Sequence, residues 1–192
     1  MAADDTKRWA LGMAREKQAV AERDLLLDFS EYDVDRPIAD LAEIRRWNPQ
    51  RFEMEQLTAV VHEDPARQIC VGYKDYGPHE FWVRGHMPQQ PIVPGVLMCE
   101  AAAQLASYYT VKHDLLGTNI IGFGGLDDVR FRDVVFVGDR LVIVAKLLKV
   151  RRGAMTVCRF QGFVRESLVC EGQIRGVPLP LDRIGRQVSA SV

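Results

Sequence analysis

Only four cysteines are present, at positions 70, 99, 158 and 170, and no two of them form a C-x-x-C pair. Scattered among apolar neighbours, they argue against a disulfide scaffold and a thiolate metal site. They read instead as buried thiols of a reducing compartment. Neither sign of charge is in excess: 25 Lys and Arg face 26 Asp and Glu, for a formal net charge of −1. The basic bias that a nucleic-acid partner demands is missing. No apolar run approaches the roughly 20 residues that span a bilayer. The opening MAADDTKRW lacks the apolar core of a secretory leader, so a cytoplasmic protein without a membrane partner is expected. Internal repeats and low-complexity segments are also absent. What remains, 192 residues with 47% hydrophobic and 27% charged, is ordinary globular composition with enough chain for one sizeable core.

Against that background one stretch stands out, GHMPQQPIVPGVLMCEAAAQ at 85–104. From Val96 to Ala106 it reads as a buried helix with almost no polar face, and Pro94 suits the helix start, where a missing N–H costs nothing. Glu100 sits mid-run, and its helical neighbours Val96, Leu97, Ala103 and Gln104 include no cation. A buried, unpaired carboxylate is expensive and tends to take up a proton, a cost most often retained at a site of chemistry. Glu100, Gln104 and Ser107, at i, i+4 and i+7, form one narrow polar stripe. His86 precedes them in a loop stiffened by Pro88, Pro91 and Pro94. A histidine and a neutral carboxyl group make a base and acid pair near neutral pH, and the Gly95 N–H at the helix start is a donor for a developing oxyanion. Spacing alone leaves a second reading open, a capped core helix whose glutamate is satisfied by a partner elsewhere in the chain.

The residues Gly85-His86-Met87-Pro88, Pro91, Pro94-Gly95-Val96-Leu97, Glu100-Ala101 and Gln104 resemble the signature of bacterial 3-hydroxyacyl-acyl-carrier-protein dehydratases of the FabZ and FabA type. That resemblance implies an α+β hot-dog fold, a curved antiparallel sheet wrapped around a long central apolar helix. Glu100 in the acid position is similar to the FabZ branch, since family members carry Glu or Asp there. The implied roles are His86 as base, Glu100 as acid, the Gly95 N–H at the oxyanion and Gln104 orienting Glu100. Val96, Leu97 and Phe123 would line the acyl tunnel. The implied reaction is dehydration of a 3-hydroxyacyl thioester in fatty acid biosynthesis, with neither cofactor nor metal. The implied partner is acyl carrier protein, steered by a cationic rim to which Arg84, Arg130 and Arg132 are assigned. In the family the His and Glu of one site come from different subunits, so a homodimer with shared sites is implied, with a trimer of dimers as the larger alternative. A thioesterase, an enoyl-CoA hydratase-like enzyme or a non-catalytic acyl-binding homologue would share the scaffold.

The rest of the chain divides into an N-terminal helical extension (1–36), a dehydratase-like domain (37–181) and a tail (182–192). In the extension a helix capped by Asp5 or Thr6 is expected to run to about Leu27, with Trp9, Met13, Val20 and Leu27 on its apolar side. Pro37 opens a short helix to Trp47, ended by Asn48-Pro49-Gln50-Arg51, where the family usually has Leu-Pro-His-Arg. Strands are expected at 56–62, 67–74, 120–123, 141–150, 155–164 and 167–177, with Gly124-Gly125 as a bend and Arg151-Arg152-Gly153 as a hairpin turn. Runs of strands around one apolar helix make an α+β domain on their own account. The family's gating tyrosine near Gly122 has only Phe123 as an aromatic counterpart, and two family prolines are replaced by Val134 and Val137. His62, His79 and His113 lack ligand spacing and read as surface histidines in polar loops, while Trp47, Trp82 and Tyr108-Tyr109 read as packing residues.

Overall fold

The computed structural model describes residues 25–179, in the order α1 (Leu41–Trp47), β1 (Ala59–Asp64), β2 (Ile69–Asp75), α2 (Gly95–Lys112), β3 (Ile121–Phe131), β4 (Arg140–Arg151), β5 (Met155–Val164) and β6 (Ser167–Pro178). Two single 3-10 turns, Phe29–Glu31 and Phe52–Met54, complete it. Helix α2 is longer than the Val96–Ala106 core of its pattern. Four alanines, with Leu97, Met98 and Leu105 that have no branch at Cβ, favour the helix, and Lys112 in the last turn suits the dipole. Pro94 takes the cap position just outside. The shorter α1 starts at Leu41 rather than after Pro37, because Ala39 forms a β-bridge with Val60 and holds 37–39 extended. The Asp40 side chain then caps the helix by accepting from the Glu43 N–H at 2.9 Å.

All strand pairs are antiparallel, and the sheet order is β1-β2-β4-β5-β6-β3. The strand expected at 120–123 runs on to Phe131 as β3, whose register shifts between Phe123 and Gly125 and again between Asp127 and Arg130. The glycine pair thus falls at a bulge, which re-aims the side chains that follow it. Alternate residues of the strands build two cores. Cys70, Ile143, Ala145, Cys158 and Phe160 join α2 in the larger one. Contact there is close at Gly72, where a Cβ would come within 2.9 Å of Leu105 Cδ1. An antiparallel six-stranded sheet about a central helix is the hot-dog arrangement that the resemblance implies.

Val61, Val71, Tyr73, Val144 and Phe163 point to the opposite face, where Leu27 is buried and Leu25, Leu26, Phe29 and Tyr32 pack. The end of the extension therefore covers the sheet's second face, with the Leu26 N–H donating to Gln161 Oε1 at 2.9 Å. Leu25–Leu27 are not helical, contrary to expectation, because this packing takes them along the sheet. The remainder of the expected helix, like the tail from Asp182, lies outside the described residues. No helix among the described residues is long and apolar enough to cross a membrane.

Candidate active site

His86 is held by its own loop. Its backbone N–H donates to the Trp82 carbonyl at 2.8 Å, its carbonyl accepts from the Ile92 N–H at 3.0 Å, and its ring Nδ1 lies 2.9 Å from the Ile92 oxygen. A carbonyl oxygen can only accept, so Nδ1 carries the proton and Nε2 of the neutral ring keeps a free lone pair. The loop is anchored in turn, because the Val93 N–H donates to the Val135 carbonyl at 2.8 Å and Ile92 bridges Phe136. The sequence thus presents a half-buried imidazole with one nitrogen committed and the other available as a base.

Glu100, in the second turn of α2, is half-buried rather than sealed in the core. It is also not without a donor: Gln104 Nε2 bonds its Oε1 at 2.7 Å. Gln104 itself is fixed from both ends of its carboxamide. Nε2 also donates to the Met54 carbonyl at 2.7 Å, and Oε1 accepts the Gln56 N–H at 2.9 Å. The Gln104 backbone carbonyl accepts from Asn48 Nδ2 at 2.9 Å. A loop some fifty residues upstream therefore sets the rotamer of the side chain that orients Glu100. Among the described residues no lysine or arginine pairs with Glu100.

Glu100 opens onto a cleft between α2 and the sheet, with Gln50, Ala103, Ser107, Thr110, Phe123 and Thr156 among the residues of its wall. Of the expected tunnel residues only Phe123 lies there. Val96 is 71% exposed, and Leu97 is buried in the main core. Val96 and Leu97 lie outside this wall: α2 carries apolar residues on nearly every side, so hydrophobicity alone does not tell which of them meet the cavity. Small residues do: Ala103, Ala106, Ser107 and Thr110 recur at helical spacing and leave room beside the helix. His86 and Gly95 are not part of this wall.

Gly95 is the first residue of α2, where the N–H has no intrahelical acceptor. The Phe131 ring lies against it, and a Cβ would come within 2.8 Å of Phe131 Cζ. Glycine is thus required for close packing as well as compatible with an oxyanion role. The arginines separate. Arg84 and Arg130 are exposed, with no ion pair among the described residues. Arg132 does not belong to a free rim, since its Nε donates to Glu171 Oε1 at 2.8 Å and its guanidinium is committed to that carboxylate.

Two histidines also differ from expectation. His62 is on strand β1, and His113 caps α2 with its Nε2 at 2.8 Å from Glu63 Oε2. Glu63 Oε1 accepts from Lys112 Nζ at 2.7 Å and Tyr108 OH at 3.0 Å. Burial works against ionisation of Glu63, but Lys112 and His113 outweigh it and hold the carboxyl below its usual range. The four thiols are all buried and free; burial pushes Cys99 up to about 11 and Cys158 to about 12, so neither is a nucleophile near neutral pH.

A FabA-like domain matches residues 48–173. The chain is 37% identical over 137 residues to the 3-hydroxyacyl-[acyl-carrier-protein] dehydratase FabZ of Syntrophobacter fumaroxidans, covering 70% of this chain and 90% of that protein. It is 33% identical over 138 residues to the FabZ of Geotalea uraniireducens, covering 71% and 94%. Among solved structures, the dehydratase heterocomplex ApeI:P from Xenorhabdus doucetiae aligns with a TM-score of 0.63 at 14% identity, covering 76% of this chain and 96% of that one. A sigma28-regulated virulence protein from Campylobacter jejuni aligns with a TM-score of 0.56 at 17% identity, covering 74% and 94%. At these identities the structural likeness is one of fold.

Proposed function

The chain belongs to the FabA-like domain family, and from that membership we propose that it dehydrates 3-hydroxyacyl thioesters on acyl carrier protein to trans-2-enoyl thioesters, a lyase step of fatty acid biosynthesis. The observation that carries the site assignment is the pairing of Glu100 with Gln104 at the mouth of a cleft, together with an imidazole whose Nδ1 is already occupied. His86 Nε2 removes the α-proton, which the thioester carbonyl makes acidic. The Gly95 N–H stabilises the enolate-like oxygen, an interaction worth about 3 kcal/mol in comparable sites. Glu100 delivers a proton to the departing 3-hydroxyl, and water leaves. The imidazolium then returns its proton to the Glu100 carboxylate, which restores both groups.

The cleft wall that contains Glu100 lacks His86 of the same protomer. A homodimer supplies it. Strand β3 is an edge of the sheet with Phe123, Leu126 and Phe131 exposed, the kind of unpaired apolar edge that a second copy covers. Arg84 and Arg130 steer the acidic carrier, and Arg132 does not take part. The test is hydration of a crotonyl thioester by His86→Ala and Glu100→Gln proteins, followed by loss of enoyl absorbance. Both variants lose activity while the dimer persists. Normal turnover in either removes the assignment.

A further inference from the structure

The cleft beside Glu100 is more polar than a channel for a plain aliphatic chain requires. Ser107 is 8% exposed, Thr156 4% and Thr110 1%, and all three line it. Their hydroxyls make no hydrogen bond within the described chain. Gln50 lines the same cleft, and its Oε1 is buried without a partner. Each such group loses its water when an alkyl chain fills the space, and an unpaired buried donor or acceptor is costly. Alanine or valine would fill the same places at no such cost. Along α2, at 1.5 Å per residue, Ser107 stands about 10 Å and Thr110 about 15 Å from Glu100, so the polar wall meets the middle and end of a chain whose reacting carbon is at Glu100.

We infer that this cleft selects acyl thioesters whose chain carries a further oxygen, a hydroxyl or keto group well beyond the reacting carbons, received by Ser107, Thr110 and Thr156. The inference rests on the dehydratase reading for the direction in which the chain lies. Sites built to hydrogen-bond a substrate group reject the analogue that lacks it far more strongly than apolar sites reject an added hydroxyl. Here one or two hydrogen bonds give about tenfold or more in affinity.

The experiment measures binding, so that it does not depend on turnover. Decanoyl pantetheine amides, which lack the 3-hydroxyl and cannot be dehydrated, are titrated calorimetrically into the full-length protein. One set is plain, and the others carry a single hydroxyl at successive positions from mid-chain to the end. The expected result is a position at which the hydroxylated chain binds about tenfold tighter than the plain one. Thr110→Val and Thr156→Val bring that ratio close to one. Plain chains that bind as well as every hydroxylated chain overturn the inference, as do ratios that both valine variants leave unchanged or an absence of binding by either set. Water held by the hydroxyls alone gives the first of these results. Enoyl formation by the wild type and its loss in His86→Ala report separately on the dehydratase reading, so the two fail independently.

Discussion

Replacing Gln104 by leucine keeps most of the side-chain volume and deletes three hydrogen bonds at once. The Gln56 N–H loses its acceptor, and Gln56 is fully buried, so water cannot replace it. The Met54 carbonyl loses its donor but lies in an exposed turn where water can serve. The stability cost is then dominated by one stranded amide, about 1–3 kcal/mol. For a chain of this size that lowers the melting temperature by about 2–10 °C. The third lost bond is the one to Glu100 Oε1, which leaves the acid free to rotate. Misplacement of a catalytic group by about 1 Å costs up to about a hundredfold. The expected Gln104→Leu enzyme therefore melts several degrees early and has kcat down by about ten- to a hundredfold, with KM much less affected. Differential scanning calorimetry and steady-state dehydration of a 3-hydroxyacyl carrier thioester measure the two effects. A variant that melts early but turns over normally would show that Gln104 ties the upstream loop to the helix and does not position Glu100. Wild-type values in both assays would refute the network altogether.

Glu63→Gln tests the cluster at the far end of α2. An acid held below its ordinary value of 4.5 contributes stability above that pH and loses it as pH falls through the folded value. The variant is therefore about 1–2 kcal/mol less stable in urea at neutral pH, and the gap narrows as the pH falls below 4.5; an equal gap at neutral and acid pH contradicts the pairing. Gly95→Ala forces the Phe131 ring off the start of α2 and lowers kcat, and adding Phe131→Ala relieves the clash; failure of that rescue would mean the ring is not the obstacle. Arg84→Glu and Arg130→Glu raise KM for a carrier-borne substrate several-fold, more at low salt, but not KM for a pantetheine thioester. Arg132→Glu lowers the melting temperature instead, because Glu171 is left beside a like charge; a pure KM effect would restore it to the carrier surface.

Much of the fold could be read from residues close together in sequence. The β4–β5 hairpin appears where its alternating pattern and the Arg151-Arg152-Gly153 turn put it, and α2 where four alanines and leucines cluster. His86 and Glu100 stood out because polar groups in an apolar or stiffened stretch are costly, and the family pattern around them is dense. What was not legible depends on contacts between distant residues. The bonds from Gln104 to Met54 and Gln56 and the tie between Arg132 and Glu171 join parts of the chain that no local pattern relates. The bridge of Ala39 to Val60 moved the start of α1 for the same reason. The polar stripe of Glu100 and Ser107 marks the face of α2 that meets the cleft, but apolarity elsewhere on the helix does not tell which neighbours join it; the small residues Ala103, Ala106 and Thr110 do. Glu100 looks stranded in the sequence because no cation lies within a turn of it, whereas its partner is the neutral Gln104 carboxamide one turn away.

Catalysis by His86 of one protomer with Glu100 of the other is tested most directly by mixing two inactive enzymes. His86→Ala and Glu100→Gln subunits, co-expressed with different tags and purified as heterodimers, have one site with both mutations and one with neither. Shared sites predict that the isolated heterodimer regains about half of wild-type kcat per dimer, since one of the two symmetric sites is intact. Heterodimers as inactive as either parent would contradict it.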